Sequence, residues 1–315
     1  MVKGREFESI LNYNFSGVDI IKEIRKSISE IEEVRERPVI CYIGNTVNSK
    51  GNLNIINDQD ELPFDEMISS IPSHIKKVDI VLVTPGGNGV TVAKLVDKLR
   101  PRFDYVGFII LDKAISAGTI MAMSGDEIIM TRRSQIGPID PQVLRNNGTF
   151  LPAQGILSLI EDIKIKGQKK LDANEQIDWT DILLLKSIDS QEIGKAINAS
   201  KYSIDLVKTY LEKYKFKNWN THSTTGNAVT FAEKIERSLE IASLLCAHDK
   251  WKEHGHAISR DIAWSICKLK IIHSEEVDLD DAMKRMWVLF YWLFENKHLE
   301  KLYVSSNYAV IRRQK

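Results

Sequence analysis

The sequence predicts an α/β fold in which crossover helices connect the strands of a parallel sheet. Three apolar, β-branched runs indicate buried strands: VDIVLV (78–83), YVGFIIL (105–111) and EIIM (127–130). Between them lie GVTVAKLVDKLR (89–100) and AGTIMAMSG (117–125), which have helical patterns. Alternation of strands and helices is typical of parallel sheets, because successive parallel strands need a crossover connection.

The region before this core is predicted to contain two further helices and one strand. Residues 18–37 carry apolar side chains at helical spacing and a highly charged opposite face, which indicates an amphipathic helix. Pro38 ends that helix, and PVICYIG (38–44) has the pattern of a buried strand. An Asn- and Asp-rich loop at 45–60 and a helix at 62–72 follow.

The region after the core is predicted to be mainly helical. A turn is expected at NNGT (146–149), and helices are expected at 152–166, 180–196, 201–213, 228–248 and 259–268. The segment 278–302 is predicted to form one helix or two.

The apolar content of this last segment exceeds one narrow stripe. It includes Met283, Met286, Trp287, Phe290 and Trp292. We therefore expect it to pack on its own core or to cover a neighbouring subunit.

The chain is expected to divide into three parts. These are an N-terminal helical extension (1–37), a central α/β core that holds the candidate site (38–273) and a C-terminal helical tail (274–315).

Composition excludes several classes of partner. Lys plus Arg number 43 and Asp plus Glu number 43, so the formal net charge is zero and no basic field attracts nucleic acid or anionic lipid. The first residues contain no continuous apolar segment of a secretory signal, and the longest strongly apolar run, WVLFYWLF (287–294), is too short to span a bilayer. The three cysteines are odd in number and lack C-x-x-C spacing. We predict a soluble, cytoplasmic protein with reduced thiols.

Two glycine-rich turns are the candidate functional elements. TPGG (84–87) follows one predicted strand, and its Gly86 and Gly87 allow a tight turn and close approach of the backbone to a ligand. Their N–H groups are candidate donors to an oxyanion, although an ordinary strand-to-helix turn has the same composition.

Ser116 stands in the same relation to the next predicted strand. Small neighbours at Ala114, Ala117 and Gly118 leave room for a strained turn that exposes the hydroxyl at a helix N-terminus. The N–H of Ala117 is then a second oxyanion donor opposite Gly87. Serine is also a common N-cap, so the motif alone is weak. Two such turns on successive parallel strands indicate the geometry that acyl transfer requires.

Three motifs carry a resemblance to a known family. TPGG (84–87), SAGTIMAMSGDEIIM (116–130) and SQIGPIDPQ (134–142) resemble the serine dehydrogenase proteinase family. That family is related to signal peptide peptidase A, to the soluble protease of NfeD-type proteins and to the Clp protease, all of which share the Clp/crotonase fold. The resemblance covers 78–165 closely and continues more weakly through 251–271.

The resemblance implies a Clp/crotonase-type core of stacked βαβ units with outer helices. It implies a serine peptidase without cofactor or metal that acts on a polypeptide substrate and forms a homo-oligomer. Ser116 would be the nucleophile, and the N–H groups of Gly87 and Ala117 would form the oxyanion hole.

The resemblance does not identify the general base. The Clp protease has a histidine shortly after the serine helix, whereas this chain has no histidine between His74 and His222. Relatives of the signal-peptidase type use a lysine, which can accept the serine proton when desolvation lowers its pKa. The corresponding positions of the NfeD-type relatives are occupied here by Gln154 and Gly155, neither of which can act as a base.

Four lysines remain candidates. Lys164 is preferred because it lies on the predicted helix at 152–166, among apolar residues that would let its stem turn inward. Lys186 in the apolar DILLLKSI is second, and Lys166 and Lys169 follow. A solvated surface lysine is the alternative for each.

Other polar groups are assigned structural roles. His248, His254 and His256 cluster in HDKWKEHGH, but their spacing does not match H-E-x-x-H. We therefore expect a loop leading into the ISRDIAW helix, with Ser259 as the cap of that helix, rather than a zinc site. His256 is a candidate for the rim of the site. Asp140, between two prolines, is expected to cap backbone N–H groups.

The alternatives to a peptidase are a non-catalytic binding or scaffolding protein that keeps the fold, and an acyl-CoA enzyme of the crotonase type. The absence of a base near residue 154 favours the former. The serine in SAGT argues against the latter.

Overall fold

The computed structural model describes residues 6–49, 51–144, 149–222 and 224–313. The strands in this part of the chain are β1 (Val39–Gly44), β2 (Lys77–Thr84), β3 (Tyr105–Ala114), β4 (Glu127–Met130), β5 (Gln135–Ile136), β6 (Gln142–Leu144), β7 (Phe150–Pro152), β8 (Ile258–Ser259), β9 (Ile272–His273), β10 (Leu299–Ser305) and β11 (Ala309–Arg313). The helices are α1 (Glu6–Leu11), α2 (Gly17–Arg35), α3 (Glu61–Ser69), α4 (Gly89–Leu99), α5 (Ala117–Met123), α6 (Ala153–Asp172), α7 (Trp179–Ser187), α8 (Ser190–Tyr210), α9 (Phe231–Cys246), α10 (His248–Trp251), α11 (Arg260–Ser265) and α12 (Asp280–Lys297).

The central sheet has the strand order β11-β10-β1-β2-β3-β4-β9. Strands β1, β2, β3, β4 and β9 are parallel, whereas β10 and β11 are antiparallel at one edge. Strand β5 extends the pairing at the carboxyl end of β3, and β8 pairs with β5. The predicted α/β fold with a largely parallel sheet and outer helices is therefore confirmed.

Each face of the sheet is covered by its own hydrophobic core. One core joins the sheet to α3, α4, α5 and α9, with Phe64 and Met121 among its fully buried members. The other core joins the opposite face to α2 and α12 through residues such as Ile24, Phe290 and Phe294. In the described part of the chain, no helix is both long and apolar enough to cross a membrane.

The C-terminal region differs from the prediction. Helix α12 ends at Lys297, where His298 adopts a left-handed conformation with φ +48°, so the helix predicted over 278–302 is wrong beyond that point. The chain continues as β10, whose residues are all buried, and then as β11. The predicted helical tail thus adds two strands to the sheet, because Leu299–Ser305 pairs with β1 and is covered on both faces. The proposed division into three parts stays a prediction.

The helices after β7 also begin and end at other residues than predicted. The helices expected at 180–196 and 201–213 are instead α7 and α8, with the break at Ile188 and Asp189. Asp189 marks the start of α8, because its side chain accepts a hydrogen bond from the Gln191 N–H as an N-cap. Of the turn predicted at 146–149, residues 146–148 lie outside the described residues.

The wide apolar face of α12 is covered by other elements of the same chain. Its apolar side chains are buried against α2 and the sheet. Of the two expectations for this segment, packing on its own core is the one that the structure has. The suggestion that residues 283–294 cover a neighbouring subunit is wrong, since that face is already occupied.

Truncation of a side chain on this face tests its contribution to stability. Phe290→Ala is expected to lower the free energy of unfolding by about 3–5 kcal/mol, because a fully buried ring is replaced by a cavity. Trp264→Ala is the control, since Trp264 is exposed and its loss should change stability by less than about 0.5 kcal/mol. Urea denaturation measures both, and equal small effects would contradict the assignment of α12 to the core.

Candidate active site

Ser116 lies in a strained turn between β3 and α5. It has φ +54° and ψ −119°, which is uncommon for a residue other than glycine. Although Ser116 occupies the N-cap position of α5, its hydroxyl makes no capping hydrogen bond. Strain of this kind persists where the surroundings impose it and is concentrated at functional sites. The turn therefore presents a half-buried hydroxyl, without a capping role, at a helix N-terminus.

Small residues around this turn let neighbouring backbones approach it closely. A Cβ added at Gly118 would lie 2.4 Å from Thr84 Cγ2, and one added at Gly137 would lie 2.8 Å from Ile115 Cγ2. These glycines explain why SAGT and IGP occur together. They bring the end of β2, the serine turn and the segment after β5 into contact.

The Thr119 side chain fastens the serine helix to that last segment. Its Oγ1 lies 2.8 Å from the carbonyl oxygen of Ala114 and 2.9 Å from that of Gly137, and it accepts the Gly137 N–H at 2.9 Å. The hydroxyl is fully buried. The first turn of α5 is thereby held on both sides.

Gly86 lies directly against the serine. It has φ +110°, and a Cβ added there would lie 2.8 Å from Ser116 Cβ and 3.3 Å from Ser116 Oγ. Its N–H donates to Thr84 Oγ1 at 3.1 Å, which fixes the turn at the end of β2. The two glycine-rich turns predicted on successive strands do meet.

Gly87 is held from the other side by the loop predicted at 45–60, to which the sequence assigned no functional role. Ile56 donates its N–H to the Gly86 carbonyl at 2.8 Å and accepts the Asn88 N–H at 2.9 Å. A Cβ added at Gly87, where φ is +143°, would lie 2.3 Å from the Ile56 carbonyl oxygen. Because successive peptide groups of an extended segment point to alternate sides, the Gly87 N–H points away from Ile56.

Two backbone donors at this site have no protein acceptor among the described residues. These are the N–H of Gly87 and the N–H of Ala117. Ala117 is the first residue of α5, where helix geometry supplies no acceptor and the helix dipole favours negative charge.

The preferred lysine is not buried. Lys164 lies on the solvent side of α6 with its side chain 73% exposed, and its Nζ lies 3.3 Å from a carboxylate oxygen of Glu161. The expectation that its stem turns inward is wrong in the single chain. Lys169 and Lys186 are exposed as well.

Lys166 is held in the charged form. Its Nζ lies 2.8 Å from Asp178 and 2.9 Å from Asp181. Hydrogen bonds to these carboxylates raise the pKa of Lys166 to about 12, which opposes its use as a base near neutral pH.

One of the lysines with a depressed pKa lies far from the serine. Burial lowers the pKa of Lys215 to about 8, and Asp126 is the charged group that acts on it most strongly. Asp126 bonds to Val106 at the amino end of β3, whereas Ser116 follows the carboxyl end. The length of β3 therefore separates Asp126 from Ser116 by roughly 25 Å at ~3.3 Å per residue.

A histidine–carboxylate pair lies beside the segment that Thr119 fastens. Asp140 is only 1% exposed, and its Oδ1 lies 2.8 Å from Nδ1 of His254. Asp140 follows Gly137 by three residues, which limits their separation to about 11 Å. The sequence predicts a structural role for Asp140 and a loop position for His254, without linking the two. The geometry instead joins them as a pair.

The remaining predicted groups have local roles. Ser259 caps α11 by accepting the Ile262 N–H at 3.3 Å, as predicted. His256 stacks on Trp251 with ring centroids 5.3 Å apart. Within the described residues, no group of three or more His, Cys, Asp or Glu side chains is arranged to hold a metal ion.

Position 154 offers no base in the structure. The Gln154 amide lies 3.7 Å from Sγ of Cys246, and burial raises the pKa of that thiol to about 11. Neither group accepts a proton readily near neutral pH.

Similar proteins are known by sequence and by structure. Two uncharacterized proteins of Methanocaldococcus jannaschii are each 28% identical to this chain, one over 171 residues (53% of this chain, 54% of that protein) and one over 145 residues (46% of each). The chain spans about half the length of these relatives.

Two solved structures resemble the chain. Both are variants of the 1510-N membrane-bound stomatin-specific protease, one of them in complex with a substrate peptide. They show 15% and 14% identity with TM-scores of 0.40, and each match covers 69% of this chain and 70% or 74% of the other.

The family assignment comes from the sequence match over the region that builds the site. The family model described as ClpP-like SDH-type serine proteinase matches residues 10–235, which is more than half of the chain and includes all three motifs around Ser116. The chain belongs to the ClpP-like SDH-type serine proteinase family.

Proposed function

We propose that the protein is a serine peptidase in which Ser116 is the nucleophile and the N–H groups of Gly87 and Ala117 form the oxyanion hole. The observation that carries this proposal is the strained Ser116 turn at the N-terminus of α5, packed against Gly86. Family membership supports the same activity. The substrate is a polypeptide, which lies extended beside the Gly86–Gly87 turn.

The proposed reaction uses each of these groups in turn. Ser116 Oγ attacks the peptide carbonyl carbon as its proton passes to a base. The carbonyl oxygen becomes an oxyanion between the two backbone N–H groups, where one such donor contributes on the order of 10²–10³ in rate. The amine leaves with a proton from the base, and water then hydrolyses the acyl-enzyme by the same route.

Two groups are proposed for the base. Lys164 is the base that the sequence favours, and it requires desolvation by a neighbouring copy because its side chain is exposed in the single chain. His254 is the second candidate, since Asp140 binds its Nδ1 at 2.8 Å and leaves Nε2 to act as a proton acceptor. Triads are defined by geometry rather than by chain order, so a histidine far along the sequence is admissible.

The competing function is a non-catalytic binding or scaffolding protein. The exposed positions of Lys164, Lys169 and Lys186 favour it, because these side chains lack the desolvation that a lysine base requires. An acyl-CoA enzyme of the crotonase type is the remaining candidate from the sequence.

A cytoplasmic location is proposed from the cysteines. Cys41, Cys246 and Cys267 are free and buried. Burial raises the pKa of each thiol, which suits stable, reduced cysteines.

The first prediction concerns the nucleophile. A fluorophosphonate probe should label the wild type at Ser116, and Ser116→Ala should abolish labelling. Gly87→Ala should slow labelling at least 100-fold, because a Cβ there meets Ile56 and displaces the oxyanion donor. Mass spectrometry of the labelled peptide makes the assignment.

Ser124→Ala is the matched control for this experiment. Ser124 follows α5 and its hydroxyl donates to the Met121 carbonyl, so its loss perturbs the same helix without touching the reacting atoms. Labelling that survives in Ser116→Ala would refute the nucleophile. An unlabelled wild type would favour the non-catalytic function.

The second prediction concerns the base. His254→Gln should lower turnover by on the order of 10²–10⁴-fold, the range for loss of general-base catalysis. His256→Gln is the control, since that ring stacks on Trp251 and should be dispensable. Hydrolysis of an activated ester measures turnover.

Lysine variants complete the comparison. Full activity in His254→Gln with loss in Lys164→Ala would assign the base to Lys164. Loss in Lys186→Ala alone would move it to Lys186. Activity retained in all three variants would leave Lys169 or a residue of a neighbouring subunit.

The third prediction concerns assembly. We propose a homo-oligomer that associates through α7, whose apolar side chains face solvent: Trp179 is 70% exposed, and Ile182, Leu183, Leu184 and Leu185 are all exposed. The buried residue of this helix is Asp181, the inverse of an ordinary surface helix.

Light scattering tests this surface. The wild type at micromolar concentration should have a mass above 35.9 kDa, and Leu183→Glu with Leu184→Glu should reduce it. Val18→Glu is the control, because Val18 is also an exposed apolar residue but lies on α2. A monomeric wild type would refute the proposal.

A further inference from the structure

A buried ion pair lies beneath the loop that holds Gly87. Lys301 on β10 and Asp60 are each only 1% exposed. The Lys301 Nζ lies 2.5 Å from Asp60 Oδ1 and donates to the Ile55 carbonyl at 2.7 Å. The ammonium therefore binds one group at each end of the segment 55–60.

Hydrogen bonds from several elements hold the Asp60 carboxylate. Tyr42 on β1 donates its hydroxyl to Oδ2 at 2.5 Å, and Tyr303 on β10 donates to Oδ1. The Asn57 N–H donates to Oδ2 at 2.9 Å. Burial of this charge is tolerated because the carboxylate is paired with a cation and hydrogen-bonded on both oxygens.

The same segment is in direct contact with the oxyanion turn. Ile56, between the Ile55 carbonyl and the Asn57 N–H, makes both backbone hydrogen bonds to Gly86 and Asn88. The contact leaves no room for a Cβ on Gly87. A shift of Ile56 would release the Gly87 peptide, whose orientation decides where its N–H points.

A second buried ion pair serves as a reference. Arg35 lies 2.6 Å from Asp79 and also contacts Glu127. Asp79 stands near the start of β2, whereas Gly86 and Gly87 follow the end of that strand. This pair lies at the amino ends of β2 and β4 and takes no part in the hydrogen bonds of the turn.

We propose that Lys301 and Asp60 are positioning residues that hold Ile56 against Gly87 and so orient the Gly87 N–H toward Ser116. The proposal rests on the proposed function for its catalytic consequence. Strand β10 lies outside the residues matched by the family model, so a strand near the C-terminus would set the geometry of a turn within the matched region.

Lys301→Met tests the proposal, because it keeps the length of the side chain and removes the charge. Amide hydrogen exchange at Ile56 and Asn88 should accelerate at least tenfold, since the two hydrogen bonds to the turn are released. The kcat for para-nitrophenyl butyrate should fall by on the order of 10- to 100-fold with KM within about twofold, as expected for a misplaced catalytic group.

Arg35→Met is the matched control for loss of a buried cation. It should lower the melting temperature and leave both exchange at Ile56 and the kcat near wild type. Lys301→Arg should restore part of the kcat. If Lys301→Met does not fold, Tyr303→Phe removes one hydrogen bond to Asp60, keeps the ring, and should show the same changes at smaller size.

The outcomes separate the two proposals. Unchanged exchange at Ile56 and Asn88 in Lys301→Met, or equal acceleration in Arg35→Met, would overturn the positioning role whatever the activity. A wild type whose ester hydrolysis does not depend on Ser116 would refute the proposed function, while the exchange data would still decide whether Lys301 holds the turn.

Discussion

The close approach of two turns, one at the carboxyl end of β2 and one at the carboxyl end of β3, is the constraint on which the site depends. Gly86 lies against the Ser116 side chain, and no Cβ is tolerated between them. Parallel pairing of β2 with β3 brings the ends of these strands to the same edge, so the contact follows from the strand order. The positive φ values at Gly86, Gly87 and Ser116 show that unusual backbone conformations shape this site.

Holding such a strained region requires rigid support around it. Thr119 fastens the serine helix to Gly137, and Ile56 presses on Gly87 from outside. Both supports are themselves anchored to the sheet: Gly137 follows β5, and the loop at Ile56 rests on Lys301 of β10. A turn with two flexible glycines thus gains a defined conformation from neighbours that cannot move independently.

The sequence predicted the local parts of this arrangement and missed the long-range ones. TPGG and SAGT were identifiable because each motif directly follows its own apolar strand, and the order of β2, β3 and β4 in the sheet is their order in the chain. Ile56 and Lys301 carry no such signal, since a loop residue and a buried lysine gain their roles only from partners distant in sequence. The apolar residues after Lys297 continue those of α12 in sequence and so predict a helix, whereas pairing with β1 decides the conformation of this segment.

The general base, like Ile56 and Lys301, depends on contacts between residues distant in sequence. Apolar neighbours on its helix predict an inward stem for Lys164, yet only one side of α6 is buried and Glu161 pairs with the ammonium on the other. Sequence order also argued against a histidine, because none follows Ser116 closely. The fold removes that argument, since Asp140 follows the segment fastened to the serine helix and His254 reaches Asp140 from a loop more than a hundred residues later. A proton acceptor is therefore better sought among side chains that the fold brings to the serine edge than among those near Ser116 in sequence.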